Sequence, residues 1–285
     1  MTHTPRRRRA GLGPIKIVAR IGVAALSATL VAGLVTPTAA TGAPAERRAA
    51  SFKPTLKAST AQVVAGHRLV LSGKVKPVRA GETVVLQKRV GDKRTWVVEA
   101  RLRMSKRGTF TYRDKPNAPG VRHYRVVVPK VGRVKAAASK QVKVTVYRWQ
   151  RLDWKDRRTA EATYYKTKNL TINGTEYDYA LTGQAYSSEG FVDWNLGRDC
   201  LKVRARYGNS DDSDDLAVAH ISMDADGESI YTKSFALTES EEKTLDITGV
   251  FRLGFHWTST NPEGTPQNQG GAAAVFVEPE VLCAY

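Results

Sequence analysis

Cysteine and histidine are scarce: the 285 residues hold two cysteines, Cys200 and Cys283, and five histidines. That excludes a disulfide-dense scaffold, and no pair of these residues has the spacing of a zinc site. No serine lies in a nucleophile elbow, so triad chemistry lacks its residues as well. After Val35 there is no long apolar run, which excludes a later membrane-spanning helix. Acidic residues are nearly missing from one stretch. Residues 51–149 carry 24 Lys and Arg against 4 Asp and Glu, a net of +20, whereas residues 150–285 carry 13 against 22, a net of −9. A change of sign this abrupt argues for two domains with different surfaces.

What is present begins with a basic run, Arg6 to Arg9 with Lys16 and Arg20. A charge-free apolar stretch from Ile21 to Val35 follows, then small residues ending in Ala43-Pro44-Ala45. This order predicts a secretory signal peptide over residues 1–45, cleaved after Ala45 or Ala40. The alternative is an uncleaved anchor, for which about 15 apolar residues fall short of the roughly 20 that span a bilayer. The paired arginines leave the export route open. Outside the cytoplasm Cys200 and Cys283 are expected to pair, the alternative being two buried thiols. Closing a loop of roughly 80 residues contributes about 4 kcal/mol in the chain-entropy account.

Residues 46–147 read as short alternating strands. Leu69, Leu71 and Val75 fall on one face, as do Val84 with Leu86, Trp96 with Val98 and Ala100, Phe110 with Tyr112, Tyr124 with Val126 and Val128, and Val142 with Val144 and Val146. Turn residues recur every 8 to 12 positions or so, which predicts an all-β sandwich. The motifs Leu71-Ser72-Gly73-Lys74-Val75, Gly81 to Arg89, Gly108-Thr109-Phe110 and Tyr124-Arg125-Val126 resemble bacterial immunoglobulin-like domains. That resemblance implies a spacer or binding module. Its polar faces are expected to carry Lys74, Lys88, Arg89, Arg101, Arg122, Arg125 and Lys143. Such a field attracts polyanions, among them anionic wall polymers, although charged strand faces also simply resist edge pairing. No recognition helix, zinc pattern or aromatic-basic stacking motif points to nucleic acid.

In residues 148–285 the polar stretch through Lys168 is expected as a short helix or loop, and strands follow at Asn169 to Ile172, Tyr177 to Leu181, Gly190 to Leu196, Leu201 to Tyr207, Leu216 to Met223, Ser229 to Phe235, Leu245 to Ile247, Leu253 to Trp257 and Ala273 to Val277. Asn173-Gly174 and Asp226-Gly227 mark hairpins. This pattern predicts a jelly-roll β-sandwich. Asn173-Gly174-x-x-Tyr177, Asn195 to Cys200, Asp226-Gly227, Leu245 to Val250 and Glu278-Pro279-x-Val281-Leu282-Cys283 occur in an order that resembles the NPCBM-type carbohydrate-binding modules. The resemblance implies a galactose-binding-like fold and a glycan-binding, non-catalytic role.

Sugar binding relies on an aromatic face with amides or carboxylates around it. Candidates are Trp257, Trp194 and Tyr186, with Asn261 and Asn268 from the amide-rich segment that follows. Trp257 continues the buried series of Leu253 and Phe255, so a core role competes with a ligand role. The histidines, His220 and His256 included, read as structural or solvent-facing. Asp211, Asp212, Asp214 and Asp215 offer oxygen ligands to a structural Ca2+, or form a solvated loop. No cofactor is otherwise expected. The whole reads as a secreted or wall-associated protein that binds a polysaccharide or cell-wall glycan. The alternative is a structural adhesion protein held to anionic wall polymers by its basic domain.

Overall fold

The computed structural model describes residues 51–184, 187–261 and 271–285. Among these the regular structure is all β, apart from one 3-10 turn at Trp154–Asp156. The strands are β1 (Lys53–Ala58), β2 (Gln62–Val64), β3 (Leu69–Lys76), β4 (Thr83–Val90), β5 (Val97–Arg103), β6 (Thr109–Asp114), β7 (Gly120–Val128), β8 (Ala137–Ala138) and β9 (Val142–Arg151). There follow β10 (Arg157–Glu161), β11 (Thr163–Lys166), β12 (Leu170–Ile172), β13 (Thr175–Tyr177), β14 (Ala180–Gly183), β15 (Glu189–Asn195) and β16 (Cys200–Asn209). The last are β17 (Val218–Ala225), β18 (Glu228–Phe235), β19 (Ser240–Asp246), β20 (Arg252–Thr260) and β21 (Ala274–Cys283). Among the described residues no helix is long and apolar enough to cross a membrane.

The first sandwich sets a three-stranded sheet, β1-β3-β6, against β9-β7-β4-β5. Alternation puts Leu69, Leu71 and Val75 of β3 inside, where they meet Val84, Leu86, Tyr124, Val126, Val144 and Val146. The expected inward faces are therefore found for these strands. Two departures matter. A bulge between Leu86 and Gln87 shifts the β4–β5 register, so Ala100 stays opposite Leu86 while Val98 turns outward. Val98 is 55% exposed, and Trp96 lies beyond the strand rather than in the core. Arg122, expected on a polar face, is buried, with its guanidinium on the Ala118 carbonyl at 3.0 Å and the Asp114 carboxylate at 3.7 Å.

The second sandwich has its own core. A five-stranded sheet, β10-β15-β20-β17-β18, packs on a layer built from β11, β14, β21, β16 and β19. Phe276 of β21 stands at the centre. Its ring stacks on Phe255 at 4.9 Å and lies 5.2 Å from Tyr207 and 6.4 Å from Trp194. The segment before Lys168, expected as a short helix or loop, holds β10 and β11. The expected strand Tyr177 to Leu181 is divided, because Tyr177 closes the β12–β13 hairpin while Ala180 opens β14. At that hairpin Asn173 and Gly174 have φ of 49° and 71°, the left-handed pair that a tight hairpin turn demands.

Cys200 and Cys283 face each other on β16 and β21 and form a disulfide, closing a separation of 83 residues. The other edge of β21 pairs with β9, Cys283 opposite Arg148 and Leu282 opposite Trp149. Strand β9 thus lies on β7 through Val142 to Val146 and on β21 through Arg148 to Arg151. Arg204 of β16 reaches across to stack on Trp149 at 4.3 Å and pairs with Glu280. The two cores are linked by one uninterrupted strand, and the described residues fall within one compact unit.

Candidate functional site

Trp194 and Trp257 both sit in the second core, 1% and 2% exposed. Trp194 donates its indole N–H to the Asp153 carbonyl at 3.0 Å, and Trp257 donates to Thr163 Oγ1 at the same distance. The Trp257 ring is roofed by Gly183 and Gly190, where an added Cβ would come within 2.6 and 2.7 Å of it. Neither indole presents a face on which a sugar ring could stack. Asn261 directly follows β20 and is half-buried. Tyr186 and Asn268 lie outside the described residues.

A groove of about 440 Å³ runs over the outer face of the five-stranded sheet, above Gly190 and the edge of Trp257. The register explains its lining. Phe191 of β15 lies opposite His256 of β20, and His256 in turn opposite Ser222 of β17, so these three side chains form a row across three strands. The Phe191 and His256 rings stack at 5.6 Å with 17° between their planes. His220 pairs through Nδ1 with Ser234 Oγ at 2.7 Å and through Nε2 with Thr260 Oγ1 at 3.3 Å. Glu161 and Glu189 close one end.

A second depression of about 290 Å³ shares His256 and is lined by Asp193, Asp224, Asp226, Arg252 and Phe251. His256 Nε2 stands 3.4 Å from Asp224 Oδ2 and 3.8 Å from Asp193 Oδ1. Gly254, between the two aspartates in register, makes this contact possible, since a Cβ there would come within 2.6 Å of Nε2 and 2.8 Å of Asp193 Oδ1. Asp226 accepts the backbone N–H of Arg252 at 2.8 Å and that of Phe251 at 3.1 Å, and these bonds, with nearby Arg198 and Arg252, hold its carboxyl below the usual range. Phe251 is 41% exposed, with the Arg198 guanidinium 5.8 Å from its ring.

The acidic stretch has structural work. Asp211 accepts the N–H groups of Asn173 and Gly174 at 2.7 and 2.9 Å, fixing the β12–β13 turn. Its burial raises the carboxyl pKa, but these bonds outweigh that and leave it lowered. Asp212 pairs with Lys166 at 2.7 Å. Among the described residues no group of three or more His, Cys, Asp or Glu side chains could hold a metal ion.

Phe191, His220, His256 and Asp193 were not singled out as ligands by sequence. Their only signal is alternation: in Phe191-Val192-Asp193-Trp194 and Phe255-His256-Trp257 every second residue is buried, which puts the others outside together. What the fold and groove define is an all-β, two-sandwich protein with a polar, partly aromatic cleft on one sheet.

Residues 138–273 match the NPCBM/NEW2 domain. That match begins at β8 and includes β9, so the strand common to both cores belongs to it. No curated protein matches the chain. Among solved structures the chain is similar to a CBM51 from Clostridium perfringens GH95 in complex with methyl-galactose, at 13% identity, covering 47% of this chain and 99% of that one with a TM-score of 0.36. It is also similar to the CBM51-2 and INT domains of Clostridium perfringens ZmpB, solved with GlcNAc, at 8% identity and a TM-score of 0.38, covering 81% of this chain and 48% of that one. The chain thus spans about half the length of the second structure.

Proposed function

We propose that residues 148–285 form a non-catalytic module that holds a glycan in the groove across β15, β20 and β17. The observation that carries this reading is the row at the groove floor, where the His256 imidazole lies against Phe191, with Glu161 and Glu189 in the groove lining and Asp193 and Asp224 beside His256 in the adjoining depression. An aromatic surface edged by carboxylates and hydroxyls suits the apolar face and hydroxyl rim of a pyranose. The match of residues 138–273 to the NPCBM/NEW2 domain supports it. On this reading the first sandwich is an immunoglobulin-like spacer, residues 1–45 are an export signal, and the protein works at the cell surface or wall, a setting that suits its disulfide. Asn261, next to β20, is a further sugar contact, to be tested beside Tyr186 and Asn268.

The test is a glycan array probed with residues 46–285 and with the double variant Phe191→Ala/His256→Ala. Retention of the parent on at least one glycan is expected, with at least tenfold weaker retention of the variant at an unchanged melting temperature. A parent that binds no glycan, or a variant that binds as well as the parent, overturns the reading.

A second reading is favoured by the net charge of +20 on residues 51–149. In it the first sandwich holds the protein to anionic polymers of the wall.

A further inference from the structure

We propose that Arg89, Arg125, His123 and Lys143 form a discrete binding site for an anionic polysaccharide on the outer face of the first sandwich. The inference rests on the second reading above, not on the groove, and it assigns the interaction to one face.

The register assembles the site. Arg89 of β4 lies opposite His123 of β7, and His123 opposite Lys143 of β9, so the three stand in a row across adjacent strands. At strand spacings of about 4.8 Å the row spans about 10 Å. Arg125, two residues along β7 from His123, shares its face and is steadied by a 2.8 Å bond from its Nε to Gln87 Oε1. Trp96 completes the cluster. Having been turned outward past the β5 bulge, it lies under two guanidiniums, with Arg125 Cζ 4.3 Å and Arg89 Cζ 5.4 Å from its ring centroid. Arg89, Arg125 and Lys143 are expected on polar faces from sequence, but only the strand register groups them with His123 and Trp96.

Like charges so close need a counter-charge, and the domain has few to give. Of the four acidic residues in 51–149, Glu99 is paired with Lys88 at 2.7 Å, and Asp114 faces Arg122 and accepts the Tyr124 hydroxyl. Among the described residues no salt bridge reaches Arg89, Arg125 or Lys143, and the buried Nε of Arg89 has no hydrogen-bond partner. Burial, followed by the charges of Arg89 and Lys143, holds the His123 imidazole below its usual range, with Asp92 opposing. By register the same face also carries the uncharged Gln87, Thr145, Val85 and Val127, and a further cation, Arg101, opposite Val85 on β5.

Guanidiniums offer forked donors matched to sulfate, phosphate or carboxylate groups. Repeated oxyanions on a flexible chain would meet successive cations of the row. A polysaccharide fits this better than nucleic acid. The face is a sheet with no element projecting to enter a duplex groove, and the Trp96 ring is taken up by guanidiniums instead of lying open for base stacking.

The experiment measures binding of residues 46–285 to dextran sulfate, with neutral dextran of equal length and a DNA duplex as the other arms. The double variant Arg89→Gln/Arg125→Gln is compared with Lys53→Gln/Lys57→Gln, which removes the same charge from β1. Dextran sulfate should bind in a salt-sensitive way and neutral dextran should not. The first variant should lose affinity about a hundredfold, about tenfold for each charge-assisted contact removed, while the second loses much less. In the parent protein, which needs no substitution, dextran sulfate should raise the pH midpoint of the His123 NMR signal by bringing an anion to it.

No binding by the parent would overturn both the adhesion reading and this site. Binding that both variants weaken equally, with an unmoved His123, would leave a diffuse field and overturn the site alone. Tighter binding to DNA than to dextran sulfate would overturn the choice of polysaccharide.

Discussion

The Trp257 ring lies so close beneath Gly190 that a Cβ added at that glycine would come within 2.7 Å of the ring and of the Glu161 carbonyl. Gly190 therefore lets β10 and the indole close on β15 from both sides. Gly190→Ala should destabilise the fold by about 1–3 kcal/mol through overpacking. Trp257→Ala should do so by about 3–5 kcal/mol by leaving a cavity. Urea denaturation measures both. A stable Trp257→Ala protein that had merely lost glycan retention would make Trp257 a sugar contact instead of a core residue.

Acid should weaken the protein in a defined window. Asp226 and Asp246 both have lowered pKa values, the first chiefly through the Arg252 and then the Phe251 N–H, the second through the Thr248 N–H. A carboxyl whose folded pKa is depressed stabilises fully above its unfolded value and loses that contribution as pH falls through the folded one. The melting temperature should thus hold steady above about pH 4 and fall below it. Asp226→Asn should show a shallower fall over the same range, with a lower starting value at neutral pH. An acid limb identical to the parent's would remove Asp226 from this account.

The Cys200–Cys283 bridge gives a third expectation. Intact mass without reductant should be about 2 Da below the reduced mass, because two hydrogens leave on oxidation. Cys200→Ser/Cys283→Ser should lower stability by up to about 4 kcal/mol. Hydrogen exchange should quicken first along β16 and the end of β21. Two free thiols in the protein isolated without reductant would refute the pairing.

The fold was legible where burial alternates strictly. Leu69-x-Leu71, Tyr124-x-Val126-x-Val128 and Leu253-x-Phe255-x-Trp257 name their inward faces because each strand has one dry side. Strand β19, Ser240–Asp246, was expected only at its end, Leu245 and Asp246, since it lies at a sheet edge with an almost wholly polar sequence. Trp96 and Val98 misled because the bulge in the β4–β5 ladder is a property of pairing, not of local pattern. The groove escaped for a related reason. Aromatic residues were sought as sugar platforms, yet the largest ones were drawn into the core by their area. The outer row was left to Phe191 and an imidazole, which only the β15–β20–β17 register brings together.

The uninterrupted run of β9 from Val142 to Arg151 has a mechanical consequence. No swivel lies between the two cores, since the backbone that leaves one is already hydrogen-bonded into the other. A pull along β9 loads its four-residue ladder with β21 lengthwise, so the bonds resist together instead of peeling one by one. Force applied to one sandwich would therefore reach the other along β9.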